Sequence, residues 1–122
     1  MEIIHETKMK AICPNGGHIN NYEVKINVPG FIEVEKLKEM IDKYIDTKIF
    51  QEDLTKELCK QIQGYYNSVN KTVYLELKGD HLGFMITTRY HYPDTRHNKW
   101  NGDSIAFFAE SVGKKNIATW RN

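Results

Sequence analysis

Apolar and polar residues alternate strictly in one early stretch of the chain. Between Tyr22 and Val28 every second residue is apolar, and Glu23, Lys25 and Asn27 fall on the other face. This period of two predicts a half-buried strand. The partly apolar segment from Lys8 to Cys13 precedes it across the turn-rich sequence PNGGHINN, so the two segments together predict a hairpin.

Helical spacing replaces alternation in the middle of the chain. Pro29-Gly30 ends the strand, and apolar residues then recur every three or four positions from about Glu33 to Ile45. A second set with this spacing predicts another amphipathic helix, with Gly64, Asn67 and Asn70 marking its exit. Its apolar positions are Leu54, Leu58, Ile62 and Tyr65.

Alternation returns after the second helix. It runs from Val73 to Leu77 and again from Phe84 to Tyr90, with Gly79 to Gly83 predicted as the turn between two strands. The predicted order is therefore strand, strand, helix, helix, strand, strand. An α+β domain with a hairpin on either side of two helices fits this order.

Length and charge narrow the class of protein. The 122 residues fit a single domain, with a core of about residues 5–92 and a C-terminal extension of about residues 93–122. In that extension we expect a short apolar run at Ile105–Ala109 and an anchoring role for Trp120. With 17 basic and 16 acidic residues the net charge is +1, too small for a field that recruits nucleic acid.

The apolar runs are too short for a membrane span, and the chain begins without the basic and apolar profile of a signal peptide. We therefore expect a cytoplasmic protein with no membrane partner. In that compartment its two cysteines stay reduced.

Cys13 has the surroundings that best suit a nucleophile. It stands where the first predicted strand ends, and Pro14, two glycines and His18 follow it. A nucleophilic cysteine needs a proton acceptor, which His18 offers, and room for substrate. We therefore expect a partly exposed, reactive thiol, although a lone cysteine is more often a small buried apolar residue. Cys59 lies beside an apolar helical stripe and is assigned to packing.

Two further groups of residues have alternative interpretations. Glu52 begins the second predicted helix, where the helix dipole alone favours a carboxylate. The histidines form no closely spaced pair of the HxH or HExxH kind, so we expect no metal site, although ligands assembled from distant strands are an alternative. They are His5, His18, His81, His91 and His97.

The segment from Cys13 to about Gly83 resembles the 7-cyano-7-deazaguanine reductases of queuosine biosynthesis, the QueF type. Their CPxTGxPD motif matches CPNGGHIN, with Asn20 in place of the aspartate. Their ESKSLK motif matches EVEKLK, which begins at Glu33. At the family's spacing from Glu33 the FHE motif falls on Phe50 to Glu52, with Gln51 in place of the histidine.

The resemblance implies the tunnelling fold (T-fold). This is an α+β fold of order ββααββ, with a four-stranded antiparallel sheet and two helices on one face of it. Subunits with this fold oligomerise to close their sheets into a barrel. We therefore expect a homo-oligomer with its sites at subunit contacts, since a lone four-stranded sheet leaves edges exposed.

The resemblance also implies a chemistry. Cys13 would add to a nitrile carbon of the base to form a thioimide, with Asn20 and His18 in the catalytic set. Glu52 would bind the amide and amino edge of the base, and Phe50, Gln51 and Glu33 would belong to the substrate-binding set. The implied ligand is 7-cyano-7-deazaguanine or a related purine or pterin base.

The chain departs from the QueF pattern in two places. An amide at Asn20 does not titrate near neutral pH. The nicotinamide motif is eroded at Val34 to Lys36 and again at Leu82 to Phe84, where LGF replaces RGG. The cofactor that the resemblance suggests is NADPH. Because its motif is eroded, we expect no cofactor. In this respect the chain is similar to the QueF-like amidinotransferases, which need no cofactor and act on a base carried in transfer RNA.

Three other functions stay open at this point. One is a non-catalytic protein that binds the base without turnover. Another is an interaction protein of a phage or mobile element. The third is a pterin synthase of the same fold, whose HGHxY motif matches HINNY at His18 and Tyr22. Because Asn20 replaces the second histidine, the zinc of such an enzyme is not expected here.

Overall fold

The computed structural model describes residues 2–93, which form one sheet and two helices. The strands are β1 (Ile3–Ile12), β2 (Ile19–Val28), β3 (Val73–His81) and β4 (Phe84–Tyr92), and the helices α1 (Val34–Asp42) and α2 (Gln51–Tyr66) lie between β2 and β3 in the chain. The predicted element order is confirmed. The predictions for Ile105–Ala109 and Trp120 lie outside the described residues.

The sheet is antiparallel, with its strands in sequence order from β1 to β4. Alternate residues of β2 and β3 are buried, as the period of two predicts. α2 packs against β3 and β4, and α1 contacts β1 and α2, so both helices cover one face. The core between sheet and helices includes Val24, Ile26, Val28, Leu75, Leu77, Leu37, Ile41, Leu54, Leu58 and Ile62.

Several boundaries differ from the sequence predictions. β1 begins at Ile3 rather than Lys8 and pairs with β2 over its whole length. Few residues of its first half are covered by the helices, so alternation is weak there. α1 ends at Asp42, because the chain turns before Ile45.

The closing turn is also shorter than predicted. β3 continues through Gly79 to His81, and only Leu82 and Gly83 form the connection, both with positive φ. Two such residues are typical of a tight hairpin. The backbone N–H of Gly83 donates to Asp80 Oδ1 at 2.9 Å. The earlier prediction was wrong because it counted Gly79 as a turn residue, whereas Gly79 makes room for a neighbouring side chain.

Candidate functional site

A short parallel bridge brings the end of β1 to the start of α2. The backbone N–H of Ile12 donates to Thr47 O at 2.9 Å, and the N–H of Ile49 donates to Ile12 O at 3.0 Å. α2 begins at Gln51, directly after this bridge. Cys13 and Glu52, far apart in sequence, therefore face one site.

These segments surround a pocket of about 170 Å³. Drug-sized ligands occupy pockets of roughly 300–1,000 Å³, so this one suits a molecule smaller than those. Its walls come from the end of β1, the start of β2, the start of α2 and the hairpin of β3 and β4. The lining residues are Cys13, Pro14, Asn15, Asn20, Tyr22, Ile49, Phe50, Gln51, Glu52, Gly79, Asp80, His81 and Ile86.

Cys13 is more buried than expected, with 5% of its surface exposed. Its N–H donates to His18 O at 2.9 Å, and its carbonyl accepts the N–H of Gly17 at 3.1 Å. These bonds fold the following loop back on the backbone of Cys13. Gly16 and Gly17 permit this because both have positive φ, which favours glycine. The expected partial exposure was wrong, but the thiol still lines the pocket.

Asn20 and Tyr22 form the β2 side of the pocket. The amide Nδ2 of Asn20 donates to the hydroxyl of Tyr22 at 3.2 Å. Burial raises the pKa of Tyr22, the hydrogen bond from Asn20 opposes this, and electrostatic repulsion from Cys13 and Glu52 adds to the rise. The phenol therefore stays neutral and keeps a proton that it can donate.

Gln51 joins α2 to the β3–β4 hairpin. Its Nε2 lies 3.2 Å from Leu77 O, 2.9 Å from Ile86 O and 3.2 Å from Thr88 Oγ1. The two N–H groups of the amide are thus occupied by the protein. Gln51 fixes the helix start on the sheet, and its side chain also lines the pocket.

Glu52 and Phe50 occupy the other side of this helix start. Glu52 lies in the first turn of α2 with its side chain exposed, and its carboxylate has no hydrogen-bond or ion-pair partner within residues 2–93. Phe50 precedes the helix and is 46% exposed. A free carboxylate beside an aromatic ring suits a planar ligand with adjacent N–H donors.

Glu33 is placed elsewhere. It precedes α1, its carbonyl accepts the N–H groups of Lys36 and Leu37, and its side chain is exposed. It does not line the pocket formed by this single chain. Within residues 2–93 it stands at a helix start outside this pocket, and its role in binding the base stays a prediction.

From the sequence, His81 was only one of five histidines that distant strands could assemble into a metal site, and the structure places it at the end of β3. Its ring centroid lies 5.7 Å from that of His18. One ligand atom from each of Cys13, His18 and His81 lies within 4.8 Å of the other two. Spacing along the chain offered no signal for this group, because its members come from two separate hairpins.

A larger depression of about 450 Å³ lies nearby and is lined by residues of all four strands. It shares Tyr22 and Asp80 with the first pocket, but its other members include Lys8, Lys10 and Lys78 and no thiol or histidine. The smaller pocket contains the groups that can do chemistry, so we take it as the candidate site.

None of the helices among residues 2–93 is long and apolar enough to cross a membrane. No protein-family model and no curated protein matches the sequence.

A solved structure with similar architecture is that of the archaeosine synthase QueF-Like in its apo form. The two structures superpose with a TM-score of 0.67, and the match covers 74% of this chain and 91% of that one. The sequences are 20% identical, so the likeness concerns the fold. Two hairpins flank two helices that cover one face of a four-stranded antiparallel sheet, and the chain therefore has the α+β tunnelling fold.

Proposed function

We propose that this protein binds 7-cyano-7-deazaguanine, or a closely related base, in the Cys13 pocket and that Cys13 adds covalently to its nitrile carbon. One observation carries the proposal: the bridge at Ile12 gives a buried thiol and the free carboxylate of Glu52 a common pocket of about 170 Å³. The similarity to the archaeosine synthase supports a ligand of this class.

Recognition rests on Glu52. The ring N–H and exocyclic amine of a guanine-type base are adjacent donors, and one carboxylate accepts both. Phe50 offers an apolar face for the ring, and the amide of Gln51 holds the helix start rigid through its contacts with β3 and β4. The neutral Tyr22 hydroxyl is a further donor for the base.

The covalent step is an addition. Cys13 Sγ forms a bond to the nitrile carbon, one π bond of the nitrile breaks, and the proton of the thiol is transferred to the nitrile nitrogen. The product is a thioimide that contains all atoms of both reactants. His18, whose carbonyl already fixes the Cys13 backbone, is the base nearest in sequence for this transfer.

A second function is favoured by Asn20. Its amide donates to Tyr22 and carries no titratable proton. This position therefore offers no carboxylic acid for proton transfer during turnover. A protein with the pocket but without turnover would retain the base as a stable adduct or as a non-covalent complex. The base would then be the ligand of a binding protein rather than the substrate of an enzyme.

The complete site is proposed to lie in a homo-oligomer. β1 and β4 are the outer strands of the described sheet, and Phe84 and Met85 on β4 are 74% and 64% exposed. A second subunit against such a strand would cover apolar surface and bring residues of its own to the pocket. Glu33, which does not line the pocket of its own chain, is then available to that of a neighbour.

The test is mass spectrometry of the intact protein after incubation with 7-cyano-7-deazaguanine. Under denaturing conditions we expect a mass increase equal to the whole base, absent in Cys13→Ala and present in Cys59→Ala. Under native conditions, Cys13→Ala should still bind the base. A mass increase that survives Cys13→Ala contradicts the chemistry, and non-covalent binding alone supports the binding protein.

Glu52 is tested with a matched neighbour. Glu52→Gln replaces half of the bidentate acceptor by a donor, and we expect at least a tenfold loss of affinity for the base. Asp53→Asn removes a charge from the same first turn but not from the pocket. Equal losses in the two variants would mean that Glu52 acts only on the helix dipole. The alternative substrate is a base carried in transfer RNA. A short RNA that contains the base tests whether the protein takes it in that form.

A further inference from the structure

We infer that Cys13, His18 and His81 form a binding site for a zinc ion whose fourth coordination position faces the pocket. The inference rests on the grouping of one thiol and two imidazoles, each with a ligand atom within 4.8 Å of the others. It stands whether or not the pocket binds a base. The set differs from the histidines that bind zinc in the pterin synthases. Asn20, which stands in place of their second histidine, is not a ligand here, and a thiol is.

The ligand chemistry selects the metal. Thiolate and imidazole together favour zinc and its spectroscopic substitute cobalt over the hard cations magnesium and calcium, which take oxygen ligands. Three protein ligands with one open position are typical of zinc sites that bind water or substrate. Cys13 and His81 both line the pocket, so the open position is directed into it.

The distances require little movement. Ligands at 2.0–2.3 Å from a tetrahedral zinc lie roughly 3.3–3.7 Å from each other. The present separations of up to 4.8 Å therefore close by about 1 Å on binding. His18 supplies this movement, because it is exposed and its ring lies over Gly16, where a Cβ would be 3.3 Å from Nδ1.

The backbone holds the other two ligands in place. Cys13 is buried and is fixed by its hydrogen bonds to His18 and Gly17. His81 ends β3, where its pairing with Phe84 closes the hairpin. Two rigid ligands and one adjustable one allow the site to close around an ion without rearrangement of the fold.

Zinc and the base compete for the same sulfur. When Cys13 Sγ bonds to zinc, the proton of the thiol leaves to solvent and water takes the open position. The sulfur lone pair is then shared with the metal and is not available to attack a nitrile. The zinc-loaded protein should therefore form no thioimide, whereas the metal-free protein should.

The experiment uses the full chain without a polyhistidine tag, metal-stripped and then titrated with Co²⁺. We expect one ion per chain, the intense visible bands of a tetrahedral site and a near-ultraviolet thiolate-to-cobalt charge-transfer band. Zn²⁺ should displace the cobalt and abolish these bands. Absence of binding, or a spectrum without the thiolate band, would overturn the inference.

Variants assign the ligands. Cys13→Ser should abolish the charge-transfer band, and His18→Ala and His81→Ala should each lower cobalt affinity by at least about tenfold, since even loss of an outer partner costs 10–100-fold. Cys59→Ala and His91→Ala, outside the group, should bind as the native chain does. Circular dichroism checks that each variant is folded. Unchanged affinity in both His18→Ala and His81→Ala would contradict the site.

The two proposals fail separately. If the cobalt spectrum is as expected but neither metal-free nor zinc-loaded protein forms an adduct, the covalent function is wrong and the metal site stands. If an adduct forms equally with and without zinc and no thiolate band is seen, the metal site is wrong and the covalent function stands.

Discussion

The ring of Tyr22 lies directly on the backbone of Gly79, its partner across β2 and β3. A Cβ built at Gly79 would be 2.6 Å from both Cδ1 and Cε1 of the ring, a separation that side chains do not tolerate. Tyr22 therefore reaches its place in the pocket only because its neighbour has no side chain. Both residues line the pocket.

Gly79→Ala should displace the Tyr22 ring and weaken both folding and base binding. Overpacking of this kind costs about 1–3 kcal/mol, which we expect in the free energy of unfolding from urea titration. Tyr22 would move into the pocket, so affinity for the base should fall as well.

Gly64→Ala is the matched control. Gly64 lies inside α2 with nothing within 4 Å of an added Cβ, and alanine is the better helix former there by about 0.5–1 kcal/mol. It should stabilise the protein and leave base binding unchanged. If Gly79→Ala were as stable as Gly64→Ala, the contact between Tyr22 and Gly79 would not limit packing.

The two thiols should differ sharply in reactivity. Cys59 is fully buried and donates to Val73 O at 3.3 Å, and burial raises its pKa to about 12. The thiolate is the reactive form, and Cys13, unlike Cys59, lines the pocket through which a reagent can reach it. Iodoacetamide should therefore label Cys13 at neutral pH and Cys59 only in denaturant. Peptide mapping gives the site of labelling, and native labelling of Cys59 ahead of Cys13 would contradict the assignment. Bound base or zinc should protect Cys13.

The fold follows from the sequence because its main determinant is local. Alternation from Tyr22 to Val28 and from Val73 to Leu77 matches the buried face of two central strands, where every second residue must be apolar. The prediction failed at β1 and at the end of β3. The helices leave much of β1 uncovered, so its apolar and polar residues do not alternate regularly. Gly79 has the sequence character of a turn residue, although in the structure it accommodates the ring of Tyr22.

The site was predictable only in part. Cys13, Asn20 and Glu52 were identified through their resemblance to ordered motifs, and they line one pocket. The contributions of Gly79 and His81 depend on the register of β2 against β3, and a period of two along one strand carries no information on register. The burial of Cys13 likewise depends on the fold of the following loop.

An ion pair across β3 and β4 should make stability depend on pH. Arg89 Nε donates to Glu76 Oε1 at 2.8 Å, and this bond lowers the pKa of Glu76 below its ordinary value of 4.5. A lowered pKa in the folded state stabilises the protein above pH 4.5, and this contribution is lost as the pH falls through the folded pKa. Arg89 is 74% exposed, so solvent limits the effect.

Arg89→Ala should therefore cost a few tenths of a kcal/mol to about 1 kcal/mol at neutral pH. The difference from the native protein should shrink as Glu76 becomes protonated. Urea titrations at neutral and acidic pH measure it, with Lys36→Ala as a control for an exposed charge in a loose helical pair. A cost that stays constant down to acidic pH would mean that Arg89 acts through packing rather than charge.

The outer surface of β4 gives the last prediction, which concerns assembly. Phe84 and Met85 expose apolar side chains on an outer strand of the described sheet, and a monomer would leave them in contact with water. Light scattering at micromolar concentration should give a mass several times that of one chain. Phe84→Glu should shift it toward the monomer, because a charge would be buried at the contact.

Val69→Glu is the control variant for assembly. Val69 lies outside the strands and is 76% exposed, so this change should leave the mass unchanged. A native protein that is monomeric at this concentration would exclude a barrel closed by several subunits, and with it a role for Glu33 in the pocket of a neighbour.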